Sequence, residues 1–555
     1  MGSTFFGFNI ARSGLFVSQR ALNVTAHNIA NANTEGYSRQ RLDTTASRPD
    51  VLPGSYGTLG TGVDSNAVKQ IRDEFLDFKL RGESSLKGEW AQKEDVLGTI
   101  EAILNEPSDS GISTVMDQFY SALQELSKNP ESLTTRALVR QRAIAFSKSM
   151  NQMSESLRKL QSDLDFELQA VTDEINGYAK QIASLNKTIY SLELEGGRAN
   201  DLRDQRNLLV DKLSELTKID YFEDSMGRFF VTMSGNPLVS HYNYDQLKLV
   251  ERGPGEALHP DDAVKLNDIT WASGSTFIAN GGKLKGLLAM RDNITGDDKG
   301  IPYYVDKLNE FADTLASELN RIHATGYGLK GSTGISLFTQ NGMSTADYED
   351  LLMTGGLDGG PGLDVTADVK AGTLASNTEA ENQRIILQNI NKILENNPQY
   401  TGKSIRMLSN GQYLLTDRIK ASELSISSDV DASLDVIAAS KSMAGLPGDG
   451  SNGLALASSR SNVYLYDWGS PDDFVKSLVS NLAVDTQEAI RGKENQEFLI
   501  AQVENKRQSI MGVSMDEEMS EMLKFQHSYN ANARMITTID GILDTVINRL
   551  GLVGR

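Results

Sequence analysis

The chain has 555 residues, a net charge of −20 at pH 7 and no cysteine. This length allows three or four domains, and the negative charge argues against nucleic acid and anionic membranes as partners. The lack of cysteine excludes disulfides, thiol catalysis and cysteine-ligated metals, and it suits export through a narrow channel, although many cytosolic proteins also lack cysteine.

The first residues do not resemble a secretory signal. Met1 to Arg20 has neither a basic start nor an unbroken apolar core. No apolar run is long enough to span a bilayer. If the protein leaves the cell, we expect a route that does not cleave a signal.

The N-terminal segment is predicted to be a helix with apolar residues on two opposite sides. An apolar column recurs every seven residues, a column of small residues follows it, and a third, apolar column lies about 200° around the helix from the first. The first column is Phe8, Leu15, Leu22 and Ile29, the small one is Ala11, Ser18, Thr25 and Ala32, and the third is Ile10, Val17 and Val24. One side could take a helix of the same chain, and a second copy is the simplest partner for the other. A terminal helix docked only on its own domain is the plainer alternative, but it leaves the second face unexplained.

After this helix, Tyr37 to Thr45 is predicted to be extended and Gly54 to Gly62 to be a loop. Helical spacing begins at Ile71, and Glu106-Pro107-Ser108 interrupts it. Its predicted core anchors are Phe75, Phe78, Trp90, Leu97, Ile100 and Leu104. Further helices are predicted over Ile112–Leu126, Ser132–Glu195 and Asp201–Leu216. The second of these is long enough to indicate an elongated helical bundle.

Strand patterns dominate from Ile219. The predicted strands include Tyr221-Phe222, Phe229–Thr232, Leu247–Val250, Val264–Leu266, Ile269–Trp271 and Phe277-Ile278. Helical spacing returns from Val305 to Ile322. An irregular region follows, with a short helix near Ile385 to Leu394 and an Asn410-Gly411 hairpin turn. Another helix runs from about Asp472 to Ile510.

The last segment, Ser514 to Leu550, is predicted to be a helix with a narrow apolar seam. Its two columns are Met522, Tyr529, Ile536, Leu543 and Leu550, and Phe525, Ile539 and Val546, the second interrupted by Asn532. Ser514 and Glu517 form a predicted capping box, with Arg549 and Gly551 at the stop. A seam of this length needs a partner, and the N-terminal helix is the first candidate.

Catalytic patterns are absent from the sequence. The five histidines, His27, His241, His259, His323 and His527, lack metal-ligand spacing, so we expect surface or packing roles for them. Asp429, Asp431, Ser433 and Asp435 alternate like a calcium loop, but no glycine stands at the sixth position, which favours a solvated acidic turn. No G-x-S-x-G elbow is present.

These patterns predict a mainly α fold with β-rich insertions in an elongated, multidomain chain. The predicted domains are a coiled-coil-like terminal domain (1–40 with 512–555), an elongated helical domain (41–218, 290–335 and 465–511), a β-rich domain (219–289) and an outer α/β or β insertion (336–464) that could pack on it. The predicted assembly interface consists of Phe8, Ile10, Leu15, Val17, Leu22, Val24, Ile29, Met522, Phe525, Tyr529, Asn532, Ile536, Ile539, Leu543, Val546 and Leu550.

Short motifs at both ends resemble the axial proteins of the bacterial flagellum, a family of rod, hook and hook-associated proteins. They are Ala21-Leu22, Asn28-Ile29-Ala30-Asn31, Thr34-Glu35-Gly36-Tyr37-Ser38-Arg39, Asp516-Glu517-Glu518, Phe525-Gln526, Tyr529 and Ala531-Asn532-Ala533. Within that family, three internal motifs are similar to the hook-associated proteins of the hook–filament junction. These are Asn200 to Arg206, Gly281 to Leu287, and Asn320 with His323 before Gly326. Residues 340–440 carry little of the resemblance.

The resemblance implies a secreted, extracellular structural protein that forms a ring of subunits at the hook–filament junction. It implies export by the flagellar type III apparatus, with the hook protein and a second junction protein or flagellin as axial neighbours. It also implies a cytosolic export chaperone on the C-terminal helix, around Met522 to Leu550. We expect no enzymatic activity, cofactor, metal, nucleic acid or membrane partner. Another axial component, such as a hook or distal rod protein, is the alternative within the family.

Two alternatives from other classes remain at this stage. A secreted membrane-active protein would use its terminal helices as amphipathic anchors, but Arg12 and Arg20 are too few to form a basic face. An enzyme could be built within residues 340–440. For the axial protein, we expect both terminal segments to be unfolded in the free monomer and to fold on assembly.

Overall fold

The computed structural model describes residues 6–51, 58–104, 111–194, 196–253, 257–259, 261–263, 265–296, 298–395, 397–400 and 402–549. The helices are α1 (Phe6–Ala30), α2 (Glu74–Leu104), α3 (Ile112–Lys128), α4 (Leu133–Glu193), α5 (Asn200–Leu216), α6 (Gly282–Asp292), α7 (Ile301–Thr325), α8 (Thr345–Gly355), α9 (Thr366–Val369), α10 (Glu379–Glu395), α11 (Ser428–Ala432), α12 (Ser451–Ser458), α13 (Pro471–Met511) and α14 (Met515–Asp544). Short 3₁₀ turns cover Pro398–Tyr400, Leu434–Val436, Met443–Gly445 and Ser459–Ser461, and a π-helical turn covers Thr545–Arg549.

The strands form small antiparallel sheets between the helices. They are β1 (Gln40–Ala46), β2 (Asp50–Val51), β3 (Thr58–Leu59), β4 (Val63–Gln70), β5 (Asp220–Glu223), β6 (Phe229–Met233), β7 (Asn236–Ser240), β8 (Asn243–Tyr244), β9 (Leu247–Glu251), β10 (Asn267–Trp271), β11 (Phe338–Gln340), β12 (Leu363–Asp364), β13 (Lys403–Met407), β14 (Tyr413–Asp417) and β15 (Leu424–Ile426). The sheets are β1-β4, β2-β3, β5-β6-β7-β8, β9-β10, β11-β15 and β12-β14-β13. The predicted fold class, mainly α with β-rich insertions, is confirmed.

Long helices build the middle of the chain, as their periodicity predicts. α4 runs for 61 residues, and the Ser132 side chain caps it by accepting a hydrogen bond from the Thr135 N–H. α2 and α13 pack antiparallel, since Asp77 pairs with Arg507 and Glu94 pairs with Lys493 further along. One extended hydrophobic core joins α2 to α7, α12 and α13, and it continues into the β5–β8 and β9–β10 sheets.

Two predicted core anchors, Phe75 and Phe78, are exposed, so that part of the helix prediction is wrong. Both lie in the first turns of α2, whose opposite face carries the buried Leu76 and Leu80. The helical period was correct, but large apolar residues stand on both faces of this segment. Hydrophobicity alone therefore could not select the buried face.

Glycines allow α6 to pack closely on its neighbours. A Cβ at Gly286 would lie 2.8 Å from the Glu89 carbonyl oxygen, and one at Gly88 would lie 2.2 Å from the Glu215 carbonyl oxygen. Gly282 has a φ of +79° and lies against the backbone of Thr217. The Gly281 to Leu287 motif is therefore a close-packing element between α2, α5 and α6.

The strand predictions hold for the β5–β6 hairpin and for β9 with β10. Phe277-Ile278 is not a strand, because beyond β10 the pairing shrinks to a single bridge between Thr270 and Thr276. The predicted strand Val264–Leu266 is also absent as a described strand; its first residue lies outside the described residues, and Lys265 has a φ of +71°. Gly54 and Glu106-Pro107-Ser108 also lie outside the described residues.

The outer region is attached to α7 by the third internal motif. The Asn320 amide donates to the Phe338 carbonyl at 2.7 Å and accepts from the Leu337 and Phe338 N–H groups at 2.8 Å each. The hairpin β13–β14 carries the predicted Asn410-Gly411 turn in its loop, where Gly411 has a φ of +81°.

His323 is fully buried between two segments of this region. Its Nε2 accepts from the Ala438 N–H at 2.9 Å, so the neutral ring carries its proton on Nδ1, 2.6 Å from the Ile335 carbonyl oxygen. Burial lowers the pKa of His323 to about 4 from 6.5. The unfolded chain therefore binds a proton at a pH where the folded chain does not.

We expect His323 to make the protein less stable as the pH falls. Its stabilising contribution is complete above pH 6.5 and is lost progressively towards pH 4, at up to about 1.4 kcal/mol per pH unit. Denaturant titrations at several pH values check this expectation, with His323→Gln as the comparison. An unchanged pH slope in the glutamine variant would contradict it.

Candidate assembly interface

The two ends of the chain pack together as an antiparallel helix pair. Ile539 lies 3.6 Å from the position of a Cβ on Gly7, and the Asn532 amide lies 2.8 Å from that of Gly14. The Ser18 hydroxyl donates to the Ser528 hydroxyl at 3.0 Å. Along these contacts the residue numbers rise in α1 and fall in α14. The two helices therefore keep one antiparallel register along their shared length.

The face of α1 that meets α14 is its small-residue column. Ala11, Ser18 and Thr25 are buried there, together with Ala21 and Asn28. The predicted columns Phe8, Leu15, Leu22, Ile29 and Ile10, Val17, Val24 flank this face on either side and are half-buried. One side of α1 therefore takes a helix of the same chain, as expected, and that side is the small-residue column. Small residues allow the backbones to approach, and the large ones pack beside the contact.

The predicted seam of α14 faces its partner along most of its length. Met522, Phe525, Tyr529, Asn532, Ile536, Ile539 and Leu543 are the half-buried positions with seam spacing. Asn532, which interrupts the apolar column, lies over Gly14. Val546 is exposed because it lies in the π-helical turn, beyond the point where α1 begins. Leu550 and Gly551 lie outside the described residues.

A hairpin of the same chain covers part of one flank of α1. The Ser13 hydroxyl accepts from the Val63 N–H at 3.3 Å, and the Ile10 Cα lies 3.5 Å from the position of a Cβ on Gly62. Val17 and Val24 line a cleft of about 470 Å³ with Leu42 of β1 and with Glu521 and Lys524 of α14. We call this side the hairpin flank. The β1–β4 hairpin therefore contacts the side that was expected to need a second copy.

The start of α14 is fixed by a buried polar network, the polar knot, formed by Asn28, Tyr37, Arg39, Gln40 and Glu518. The Asn28 amide donates to Glu518 and to the Gln40 carbonyl, each at 2.9 Å. It accepts from the Gln40 N–H at 3.0 Å and from the Tyr37 hydroxyl at 2.8 Å. Arg39 Nε donates to Glu518 at 2.6 Å. Both Asn28 and Glu518 are buried, so each polar group has a partner in place of water.

The predicted capping box at Ser514 is formed in part. The Ser514 hydroxyl accepts from the Glu517 N–H at 3.5 Å. The Glu517 carboxylate accepts instead from Arg39 Nη1 at 2.8 Å. The second half of the box is therefore replaced by a contact with the N-terminal segment.

The polar knot continues into the helical middle through the neighbouring residue Ser38. Its N–H and hydroxyl donate to Asp204 of α5 at 2.9 and 2.7 Å. Arg72 pairs with both Asp204 and Asp77, and Asp77 pairs with Arg507 of α13. The internal motif that begins at Asn200 therefore contacts the N-terminal motif directly, and Arg72 and Asp77 extend the network to α13.

Burial affects the acid–base properties of these residues. It raises the pKa of the Tyr37 phenol, and the nearby Asp201, Asp204 and Glu518 raise it further, so Tyr37 remains a hydrogen-bond donor. Burial also raises the pKa of Asp204, against the hydrogen bonds from Ser38 and the charge of Arg72.

Several interface residues were not predicted as such. Ala21, Asn28, Asp204 and Glu518 are buried and belong to the terminal and internal motifs, but they are not among the predicted interface residues. A signal existed for Asn28, which is a polar residue on the small-residue face of α1.

The histidines have packing or surface positions. His27 lies 3.2 Å from Asp201, His241 packs on Tyr190, and His259 accepts from the Asp261 N–H. Asp429 accepts from the Thr345 N–H at the start of α8. Within the described residues, no group of three or more acidic or histidine side chains could hold a metal ion, and no helix is long and apolar enough to cross a membrane.

Family models match three parts of the chain. Residues 97–338 match the flagellar hook-associated protein FlgK helical domain. Residues 8–37 match the flagella basal body rod protein, and residues 506–550 match the flagellar basal body rod FlgEFG protein C-terminal region. The two terminal matches cover most of α1 and all of α14.

Curated relatives extend the match to the whole chain. Flagellar hook-associated protein 1 of Bacillus subtilis is 30% identical over 585 aligned residues, covering 100% of both chains. The protein of that name from Escherichia coli is 28% identical, covering 97% of this chain and 99% of the relative.

A solved structure has a similar fold. It is the flagellar hook junction protein FlgK from Burkholderia pseudomallei, with a TM-score of 0.55 and 16% identity, covering 78% of this chain and 100% of that one. The full-length relatives do not favour a hook or distal rod protein. The chain therefore belongs to the flagellar hook-associated protein 1 family and is a structural protein of the flagellar hook–filament junction.

Proposed function

We propose that copies of this protein assemble into a ring at the junction through the α1–α14 pair. The observation that supports this proposal is that the large apolar columns of both helices are only half-buried in the single chain. Apolar surface left in water is stabilised when another surface covers it. The sixteen predicted interface residues remain the proposed assembly set, with Leu550 outside the described residues.

The proposed axial neighbours are the hook protein on one side and a second junction protein or flagellin on the other. The names of the relatives, which associate them with the hook, support this arrangement. A flagellar axial protein must contact components of both structures that it joins.

The proposed route to this location is type III export to the cell exterior, with a cytosolic chaperone held on α14. A chain without cysteine can pass unfolded without forming disulfides. A chaperone on the seam from Met522 to Leu543 would occupy the surface that α1 takes in the folded chain. The two ends would then be kept apart until export.

The domain division also remains a proposal. The contact of α1 with α14 supports a terminal unit of 1–40 with 512–555. The ion pair between Lys420 and Asp261, 2.7 Å, supports packing of the outer insertion (336–464) beside the β-rich domain (219–289). The antiparallel α2 and α13 support the elongated helical domain.

Tyr529→Asp tests the proposed function. A charge at this half-buried seam position should block incorporation into the junction at least tenfold while the central helices stay folded. The measurement is the amount of protein in purified hook–filament particles, with circular dichroism of the free variant. Tyr529→Phe is the control, since it keeps the aromatic side chain and adds no charge. Normal incorporation of the aspartate variant would contradict the proposal.

A further inference from the structure

Six charged side chains form an alternating row where the helical middle adjoins the terminal helices. Each contact in the row joins an aspartate oxygen to an arginine nitrogen at 2.5 to 3.3 Å, and the side chains are only 3–14% exposed. In order of contact they are Asp204, Arg72, Asp77, Arg507, Asp211 and Arg81. We call this row the charge ladder. It joins α2, α5 and α13.

The charge ladder is paired throughout. Its three arginines balance its three aspartates, and within the described residues none of the six leaves a buried nitrogen or oxygen atom without a hydrogen-bond partner. At one end, Ser38 donates to Asp204. At the other end, the Arg81 guanidinium lies 4.1 Å from the centre of the Tyr221 ring. Such a network adds little net stability over apolar residues of similar size, but removing one partner is costly.

The apolar contacts beside the charge ladder do not select a single register. They form a small cluster that consists of Leu76 and Leu80 of α2 with Ile500, Val503 and Ile510 of α13. A shift of α13 by one turn, about 5.4 Å, would put Ile500 in the place of Val503. One apolar side chain would replace another of similar size, and such exchanges are well tolerated.

The charge ladder penalises the same shift. Arg507 lies between Asp77 and Asp211, at 3.3 and 3.0 Å. A shift of one turn in either direction would bring a residue without positive charge to this place. The four candidates are Val503, Glu504, Ile510 and Met511. Two buried carboxylates would then lose the cation between them, which costs far more than the exchange of one apolar residue for another.

We infer that the charge ladder selects the register of the last turns of α13 and thereby places the start of α14 where the polar knot can form. Arg507 lies one turn before the end of α13, and only residues 512–514 separate α13 from α14. The Met511 carbonyl accepts from the Arg39 N–H at 2.9 Å. An error of one turn, about 5.4 Å, exceeds the length of a hydrogen bond, so it would break this contact. The inference concerns the single chain and does not depend on the proposed ring.

The far end of the contact between α2 and α13 is fixed by shape. A Cβ on Gly492 would lie 2.5 Å from the Trp90 ring, so the two helices fit closely there. Gly492 precedes Arg507 by about 15 residues, which is roughly 22 Å along the helix. The charge ladder therefore acts at the near end alone, and the two ends can be compared in one experiment.

A neutral version of the charge ladder tests the inference. It removes two charges of each sign and leaves the ion pair between Arg72 and Asp204. The four substitutions are Asp77→Leu, Arg81→Met, Asp211→Leu and Arg507→Met. We expect this variant to unfold at the same temperature as the unchanged chain or at a higher one, but to lose its single register.

The register is measured as the distance between two spin labels. Gly82→Cys on α2 and Asn505→Cys on α13 carry the labels, since both positions are exposed and the chain has no other cysteine. We expect one narrow distance with the unchanged ladder and an additional, displaced population with the neutral one. A single unchanged distance in the neutral variant would overturn the inference, because the apolar contacts would then select the register alone.

Arg507→Met gives a second readout, with Lys506→Met as the matched control at the adjacent exposed position. We expect the Arg39 and Gln40 amides to exchange hydrogen at least tenfold faster in Arg507→Met, while the amides around Gly492 stay within twofold of wild type. Lys506→Met should leave both regions within twofold of wild type. Equal acceleration at both ends in Arg507→Met would show a general loss of stability and would overturn the inference, as would unchanged exchange at Arg39 and Gln40.

Discussion

Gly14→Leu should separate the two terminal helices and abolish junction assembly. A Cβ at this position would lie 2.8 Å from the Asn532 side chain, and the rest of a leucine side chain would extend further into α14. Overpacking of this kind costs about 1–3 kcal/mol. The large apolar columns of the pair are only half-buried, so we expect at least a tenfold loss of incorporation into hook–filament particles.

The control for this variant is Gly541→Leu on α14. No heavy atom lies within 4 Å of a Cβ at Gly541, so the same substitution meets open space there. This variant should assemble like the wild type, because leucine has a higher helix propensity than glycine and meets no neighbour there. If Gly14→Leu assembled as well as Gly541→Leu, the close approach of α1 and α14 would not be needed for the junction.

Glu518→Ala should detach the start of α14 from the polar knot. The residue Glu518 is 2% exposed, and its carboxylate accepts hydrogen bonds from Asn28 and Arg39. Removing one partner of a buried pair costs about 3–5 kcal/mol. Arg39 keeps its ion pair with Glu517 and some contact with water, so we expect Glu518→Ala to lower the stability by roughly 2–3 kcal/mol. The measurements are faster hydrogen exchange in α14 and a loss of assembly.

The adjacent residue supplies the matched control. Glu517 also pairs with Arg39, but its side chain is 64% exposed, and such pairs contribute about 0.5 kcal/mol. Glu517→Ala should therefore assemble nearly normally. Glu518→Gln should be intermediate, because it can still accept from Asn28 while it loses the charge that faces Arg39. Equal effects of the two alanine variants would show that the burial of Glu518 does not make its contribution to assembly larger than that of the exposed Glu517.

The sequence predicted best those elements whose signals are local. α4 and α13 follow from an unbroken helical period, and the β13–β14 hairpin follows from Asn410-Gly411. The seam of α14 was predictable because Met522 to Leu543 keeps one spacing over several turns. In each case neighbouring residues determine the structure.

The features that the sequence did not predict depend on contacts between residues that are far apart in sequence. No spacing rule indicates that Asn28 meets Glu518, or that Ser38 meets Asp204. The cover that the β1–β4 hairpin places on the third column could not be inferred either, because periodicity does not reveal which element lies on a face. Phe75 and Phe78 were misassigned for the same reason.

The polar knot brings the two terminal motifs together, although they lie more than four hundred residues apart in sequence. Asn28, Arg39 and Glu518 contact one another, and Ser38 joins them to Asp204. The terminal helix pair is thereby held to α5 by buried hydrogen bonds.

The most direct test of the paired ends is a double cysteine variant, Ser18→Cys with Ser528→Cys. The two hydroxyl oxygens lie 3.0 Å apart, and the chain has no other cysteine. Purified hook–filament particles that carry this variant are oxidised after assembly, and the chains are then separated under denaturing, non-reducing conditions. The predicted result is a disulfide within each chain, so that the protein migrates as a single-chain species without free thiols. Free thiols, or a disulfide that joins two chains, would contradict the pairing of α1 with α14 of the same molecule in the assembled junction.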